Sequence, residues 1–282
     1  MSKKDIELTG PLVLTVKERK KRAKRTSANW SAITLSLVIP ILLLAVWSIV
    51  TFTELIPSYQ LPSPIAVVET IVGLAQDGSL WSHLGITFSR VIIGSLIGTI
   101  IAVLLGSVVG FYSKAERLFD PIIQAFKSIP SLAWVPLFIL WMGIGEPSKI
   151  SLIAVGVFFP VYLNMVSGIL NVDRKLIEVG KVYGLSHFEL VRRIILPATF
   201  PSFFTGLRSG LGLGWMFVVA AELMGASQGL GYLLVIGQNS SSPDLIIASI
   251  FLFAVVGKCT DWLVKIVENK VLSWRDNSVI GG

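Results

Sequence analysis

A chain of 282 residues that is 53% hydrophobic and 15% charged, with a mean hydropathy of +0.76, falls well below the ~25% charge of a soluble domain, and its apolar residues come in long blocks. This predicts an all-α polytopic membrane protein. The formal charge of +7 is concentrated in the N-terminal segment and certain loops, with no basic face interleaved with aromatics, so nucleic acid is excluded as a partner.

Residues 1–29 form a basic tail containing "KERKKRAKR" at Lys17–Arg25. The apolar stretch 30–52 follows, long enough for a first membrane span at ~20 residues per crossing. It exceeds the roughly 7–15-residue core of a signal peptide and lacks a clear small-residue cleavage site. Residues 54–85 contain no Lys or Arg. Within them Pro64 starts a helix, Ile65, Val68, Ile71, Val72 and Ala75 form a helical stripe, and Gly78 ends the pattern, which predicts a short amphipathic helix on the outer face. Further spans are expected at about 86–111, 118–143, 149–170, 199–224 and 245–267, six in all, within a permease-like membrane region of 30–282. Pro130, Pro136 and Pro160 lie within spans and should bend or break them. Gly94 and Gly98, Gly106 and Gly110, and Gly206, Gly210 and Gly214 recur at four-residue spacing, which lets helices approach closely. Trp134, Trp141 and Trp215 read as lipid-facing anchors or core.

Lys and Arg are distributed unevenly among the loops. The N-terminal tail, 112–117, 171–196 and the C-terminal end carry them, 54–85 and 225–244 have none, and the 144–149 connection has only Lys149. With six spans, this predicts that both termini and the 171–197 loop are cytoplasmic. Cys259 is the one cysteine, so no intrachain disulfide forms, and it reads as a small packing residue. His83 and His187 lie in different loops, and no His, Asp or Glu spacing matches a metal site.

The 171–197 loop is more organised than a simple connection. Asp173 is placed to cap a helix from Arg174 to about Tyr183, with Leu176, Val179 and Tyr183 as one stripe and Ile177 and Val182 beside it. Gly184 supplies a left-handed stop, and Ser186 and Glu189 have capping-box spacing for a second helix. A helix resting on lipid headgroups and a docking surface for a cytoplasmic partner both fit this pattern.

The spacing of Glu178, Gly184 and the "IILP" ending at Pro197 resembles the EAA loop of ATP-binding-cassette importer permeases, with Val179 and Gly180 in place of the two alanines. "LPSPIAVVETI", "FSRVIIGSLIGTIIAVLLGSVVGF", "SIPSLAWVPLFILWMGIGEPSKI", "GVFFPVYLNMVSGILNVDRKLIEV" and "TGLRSGLGLGWMFVVAAELMGASQGLGYLL" are similar to permeases for aliphatic sulfonates, taurine and nitrate, over about residues 60–275. The resemblance implies a five-helix importer-permease core plus an N-terminal helix, in the plasma (inner) membrane of a prokaryote. It implies that Arg174, Glu178, Val179, Gly180, Tyr183, Gly184, Leu185, Ser186 and Phe188 couple the permease to an ATP-binding cassette subunit. It also implies a periplasmic or lipid-anchored substrate-binding protein and a second permease copy, with nitrate or bicarbonate as alternative solutes. The chain has no G-x-x-x-x-G-K-[ST] phosphate loop: Gly257-Lys258 is preceded by Leu252 where glycine is needed and followed by Cys259. ATP and Mg would therefore be held by the partner ATPase, and this chain would bind no cofactor and catalyse nothing.

Lys127, Arg208 and Glu222 are charges within predicted spans, as path residues or as structural pairs. Arg208 and Glu222 are separated by ~21 Å along one helix and cannot pair there. Arg208 is near enough to the cytoplasmic end to snorkel, whereas Glu222, near the outer end, should pair with a neighbouring helix or cap the segment at 225–232. A stand-alone secondary transporter or channel would instead show proton-relay carboxylates or an internal repeat.

Overall fold

The computed structural model describes residues 30–130 and 133–274. The basic tail at 1–29, Arg275 and the rest of the C-terminal end lie outside the described residues. Every regular element among those described is a helix. Contacts divide the chain after Ile56 into two units. The first holds helix α1 (Trp30–Phe52), which carries no charged residue and contains Pro40.

The second unit begins at Pro57. Its first helix, α2 (Pro64–Gln76), starts where expected, with Pro64 in the first turn and the Ser63 hydroxyl accepting from Ala66 N–H at 3.2 Å. α3 (Ser79–Phe111) begins earlier than the predicted 86–111 and runs 33 residues, ~50 Å. α6 (Glu146–Leu170) and α9 (Leu196–Leu223) are its partners, and α6 lies between the other two. α6 continues through Pro160 without a break. α9 is entered through α8 (His187–Leu190) and a π-helical turn, Val191–Ile195, so that one apolar rod extends from His187 to Leu223. The wide turn precedes Pro197 and Pro201, whose missing N–H groups interrupt the ordinary ladder.

The glycine stripes are the seams of this three-helix core. Added Cβ atoms at Gly94 and Gly110 of α3 would meet Ile153 at 2.7 Å and Ile169 at 2.9 Å of α6, and one at Gly98 would strike the Ala154 carbonyl. On the other side of α6, a Cβ at Gly206 of α9 would come within 2.7 Å of Asn164, and one at Gly210 within 3.0 Å of the Val157 carbonyl. Backbones at this separation leave no room for a side chain, which explains the choice of glycine at these positions. The order of these contacts gives the topology: α3 and α6 run parallel, and α9 runs antiparallel to both.

Residues 112–145 must therefore recross the bundle. The stretch read as one span at 118–143 does so in two pieces, α4 (Ser113–Lys127) and α5 (Trp134–Met142). Pro130 lies at the break, and Pro136 falls in the first turn of α5, where its missing N–H costs nothing. α11 (Pro243–Val271) packs antiparallel to α9, with Trp215 against Phe253. Among the described residues, four rods are long and apolar enough to cross a membrane: Ser79–Phe111, Glu146–Leu170, His187–Leu223 and Pro243–Val271. Cys259 is exposed on α11 rather than packed, because the face of α11 turned to α9 is taken by Phe253 and Asp261.

At one end of the bundle α2, the start of α3, the start of α11 and the short helix α10 (Leu230–Asn239) enclose a leucine cluster of Leu80, Leu230, Leu233 and Leu252. The stripe predicted on α2 divides there: Ile71 and Ala75 pack inward, while Ile65, Val68 and Val72 are exposed. Thr70 donates to Asp244 at 2.6 Å and ties α2 to α11. Helix α7 (Arg174–Val182) projects at the opposite end.

Candidate functional site

The corner at α7 is built by local chemistry. Asp173 accepts from the Lys175 N–H at 2.9 Å and starts the helix. Gly184, at φ +73°, ends it, with its N–H on the Lys181 carbonyl at 2.9 Å and the Leu185 N–H on the Gly180 carbonyl at 3.1 Å. Ser186 and Glu189 then form a full capping box: the Ser186 hydroxyl accepts from the Glu189 N–H and the Glu189 carboxylate accepts from the Ser186 N–H at 3.0 Å.

This corner turns Gly180 inward. A Cβ there would meet Leu190 at 2.5 Å and Ile194 at 2.6 Å, so the glycine sets how closely α7 lies on the α8 rod. With Gly180 buried and Leu185 half-buried, the other seven of the nine implied coupling residues face out: Arg174, Glu178, Val179, Tyr183, Gly184, Ser186 and Phe188. Leu176, Val182, Tyr183 and Phe188 are exposed too, the last three by 72% or more, so an apolar patch is flanked by Arg174, Lys175 and Lys181 at the tip of the bundle. Apolar surface gathered on a structured corner marks an interaction site.

An ionic knot occupies the other end. Glu222 is fully buried and accepts from Arg90 Nη1 at 2.6 Å, from the Thr87 hydroxyl at 2.9 Å and from the Gly231 N–H at 2.8 Å. Arg90, 3% exposed, also holds Glu146 through two contacts of 2.6 and 2.7 Å and the Gln228 carbonyl at 2.8 Å. Lys149 adds a contact to Glu146 at 3.4 Å. Three N–H groups at the start of α10 are held: Gly229 by His83 Nδ1 at 3.0 Å, Leu230 by the Thr87 hydroxyl at 2.8 Å, and Gly231 by Glu222. Cβ atoms at Gly229 and Gly231 would each come within 2.5 Å of Glu222, so only glycine lets the turn fold over the carboxylate.

Glu222 thus both pairs with a neighbouring helix and caps the segment that follows it. Sequence reading singled out Glu222 but not Arg90, Thr87 or Glu146. The available signal was an arginine inside the apolar run "FSRVIIG". Arg208 is likewise paired: it meets Asp261 of α11 at 2.9 Å and Glu268 at 3.3 Å, so it joins α9 to α11.

Lys127 is placed differently. It lines an open cleft of about 390 Å³ between the α4–α5 break, α6 and α9, together with Trp134, Phe159, Asn164, Met216 and Phe217. Trp134 belongs to this wall, Trp215 is buried in the core, and Trp141 is exposed.

Comparison with known proteins matches residues 94–273 to the family described as binding-protein-dependent transport system inner membrane component. A protein assigned as an aliphatic sulfonates transport permease, SsuC, of Bacillus subtilis (strain 168) is 38% identical over 96% of this chain and 98% of its own. The taurine transport system permease protein TauC of Escherichia coli (strain K12) is 31% identical over 91% of this chain and 96% of its own. Among solved structures, a chain of the inward-facing MetNI methionine ABC transporter superposes with a TM-score of 0.58 at 19% identity, over 66% of this chain and 92% of that one, and shares the fold. This protein belongs to the inner-membrane component family of binding-protein-dependent transport systems.

Proposed function

We propose that this chain is the permease subunit of an ATP-driven importer, and that it moves a small anionic solute, an aliphatic sulfonate or taurine, through a path shared with a second copy of itself. The observation that carries the reading is the α7 corner, an apolar patch with a basic rim, held rigid by an N-cap, a left-handed glycine and a capping box. A surface of this kind suits a cleft in an ATP-binding subunit. Closure of two such subunits around ATP would push the corner and bias the bundle between two packings. The apolar knobs Val182, Tyr183 and Phe188 would seat in the cleft, and Arg174, Lys175 and Lys181 would meet its rim.

On this reading the α7 end is cytoplasmic, as the lysines and arginines of 171–196 favour, and the α2 end, with no Lys or Arg in 54–85, receives solute from an extracytoplasmic binding protein. ATP and Mg are bound by the partner. The solute assignment is supported by the names of the sulfonate and taurine relatives. Co-purification tests the docking claim. The wild-type chain should retain its ATP-binding subunit through detergent extraction, and Val182→Asp with Tyr183→Asp should lose it while remaining a folded, monodisperse membrane protein. Retention by that variant would contradict the proposal. Uptake by proteoliposomes then identifies the solute, since nitrate or bicarbonate carried in place of sulfonate would replace the solute and leave the coupling intact.

A further inference from the structure

Helix α4 carries a polar stripe along its length. Glu116, Asp120, Gln124 and Lys127 fall within about 80° of arc at 3.6 residues per turn. Leu118, Ile122 and Phe126 are exposed on its other side. Because α4 is half of the segment that recrosses the bundle, a polar stripe there needs water or a polar partner along the crossing. The stripe ends at Lys127, where α4 stops before the Pro130 break and the 390 Å³ cleft opens.

Lys127 differs from the other cations of the crossing helices that face a neighbour. Arg90, Lys149 and Arg208 each have a carboxylate partner, whereas Lys127 forms no ion pair among the described residues. Around it the cleft is nearly all aromatic and aliphatic: Trp134, Phe159, Met216 and Phe217, with Asn164 as the other polar side chain. Asn164 commits one of its two amide N–H groups to the Pro160 carbonyl at 2.9 Å and keeps the other. One cation in an otherwise apolar pocket suits a monoanion with a short apolar tail. A dianion would leave a charge unmatched, and a neutral solute would gain nothing from the ammonium. The nearest acids of the stripe, Asp120 and Glu116, lie two and three turns away toward the α7 end, so an anion meets repulsion only on leaving.

Resting on the reading of this chain as a solute path, we infer that the cleft is a transient solute site in which Lys127 selects anions, with the acidic head on its ammonium and the tail against Trp134, Phe159 and Met216. The test uses the complete transporter in proteoliposomes, with radiolabelled butanesulfonate as probe and Cys259→Ser as background. Loss of one charge-assisted hydrogen bond corresponds to about 10- to 100-fold. Lys127→Met should therefore lower uptake by at least about 10-fold, and Lys127→Arg should hold it within about threefold. To separate this from misfolding, Lys127→Cys should be inactive as made, regain uptake when its thiol is given an aminoethyl group, and stay inactive with a sulfonatoethyl group. Wild-type uptake in Lys127→Met, or equal rescue by both groups, overturns the inference and leaves the importer reading standing. A wild-type assembly that carries no anion at all overturns both.

Discussion

Arg90→Met should be among the most damaging single substitutions outside the glycine seams. The arginine is 3% exposed and its partner Glu222 is fully buried, with the two in contact at 2.6 Å. Without Arg90, Glu222 keeps the Thr87 hydroxyl and the Gly231 N–H but has no opposing charge, and Glu146 loses both its short contacts. Breaking a buried pair from one side costs about 3–5 kcal/mol, because the remaining charge is stranded. Combining Arg90→Met with Glu222→Gln removes that charge while leaving a carbonyl to accept from Gly231. The double variant should then regain about 2 kcal/mol over Arg90→Met, a coupling of the size expected for residues in one network. The assay is reversible unfolding in mixed micelles over a range of denaturing detergent, followed by tryptophan fluorescence. A loss below about 1 kcal/mol for Arg90→Met, or a double variant no better than the single one, would refute the stranded-charge argument.

Other consequences are local. Gly98→Val should abolish assembly of the α3–α6 seam, because its side chain would occupy the Ala154 carbonyl, whereas Gly85→Ala, which meets open space on the same helix, should be silent in the same expression and monodispersity screen. Ser186→Ala removes one half of the capping box and should cost about 1 kcal/mol locally, read as faster amide exchange at 187–190 with the rest of the bundle unchanged. Arg208→Met should loosen α11 from α9 and leave Asp261 and Glu268 unopposed, so single-label distance distributions between those helices should broaden, while Arg208→Lys should restore only part of the contact since the two-pronged hold on Asp261 is lost.

The parts legible in the sequence were those whose causes are local. Asp173, Gly184 and the Ser186–Glu189 pair each act within three residues, so the α7 corner could be placed and its caps named from spacing alone. The glycine stripes were legible for a related reason: four-residue spacing on a helix presents one face, whatever the partner proves to be. Their partner, α6, and the parallel course of α3 beside it were not, since nothing in a stripe says what packs on it. The Arg90–Glu222 pair joins residues 132 apart, and no window short enough to show periodicity contains both. The 118–143 stretch looked continuous because its mean apolarity hid the polar stripe of its first half; the turn before Pro130 divides it. On α2 the apolar stripe is wider than the core needs, so Ile65, Val68 and Val72 remain outside.

The coupling role of the α7 corner is tested most directly by ATP hydrolysis of the purified assembly with its solute-loaded binding protein, comparing the wild-type chain with Glu178→Lys plus Gly184→Trp. Glu178 is exposed on the corner, and Gly184 at φ +73° tolerates no other residue without strain. The account predicts that the variant chain remains folded and loses either the ATPase subunit or its stimulation by the binding protein. Unchanged binding and unchanged stimulation would contradict it and leave α7 as a helix resting on the membrane surface.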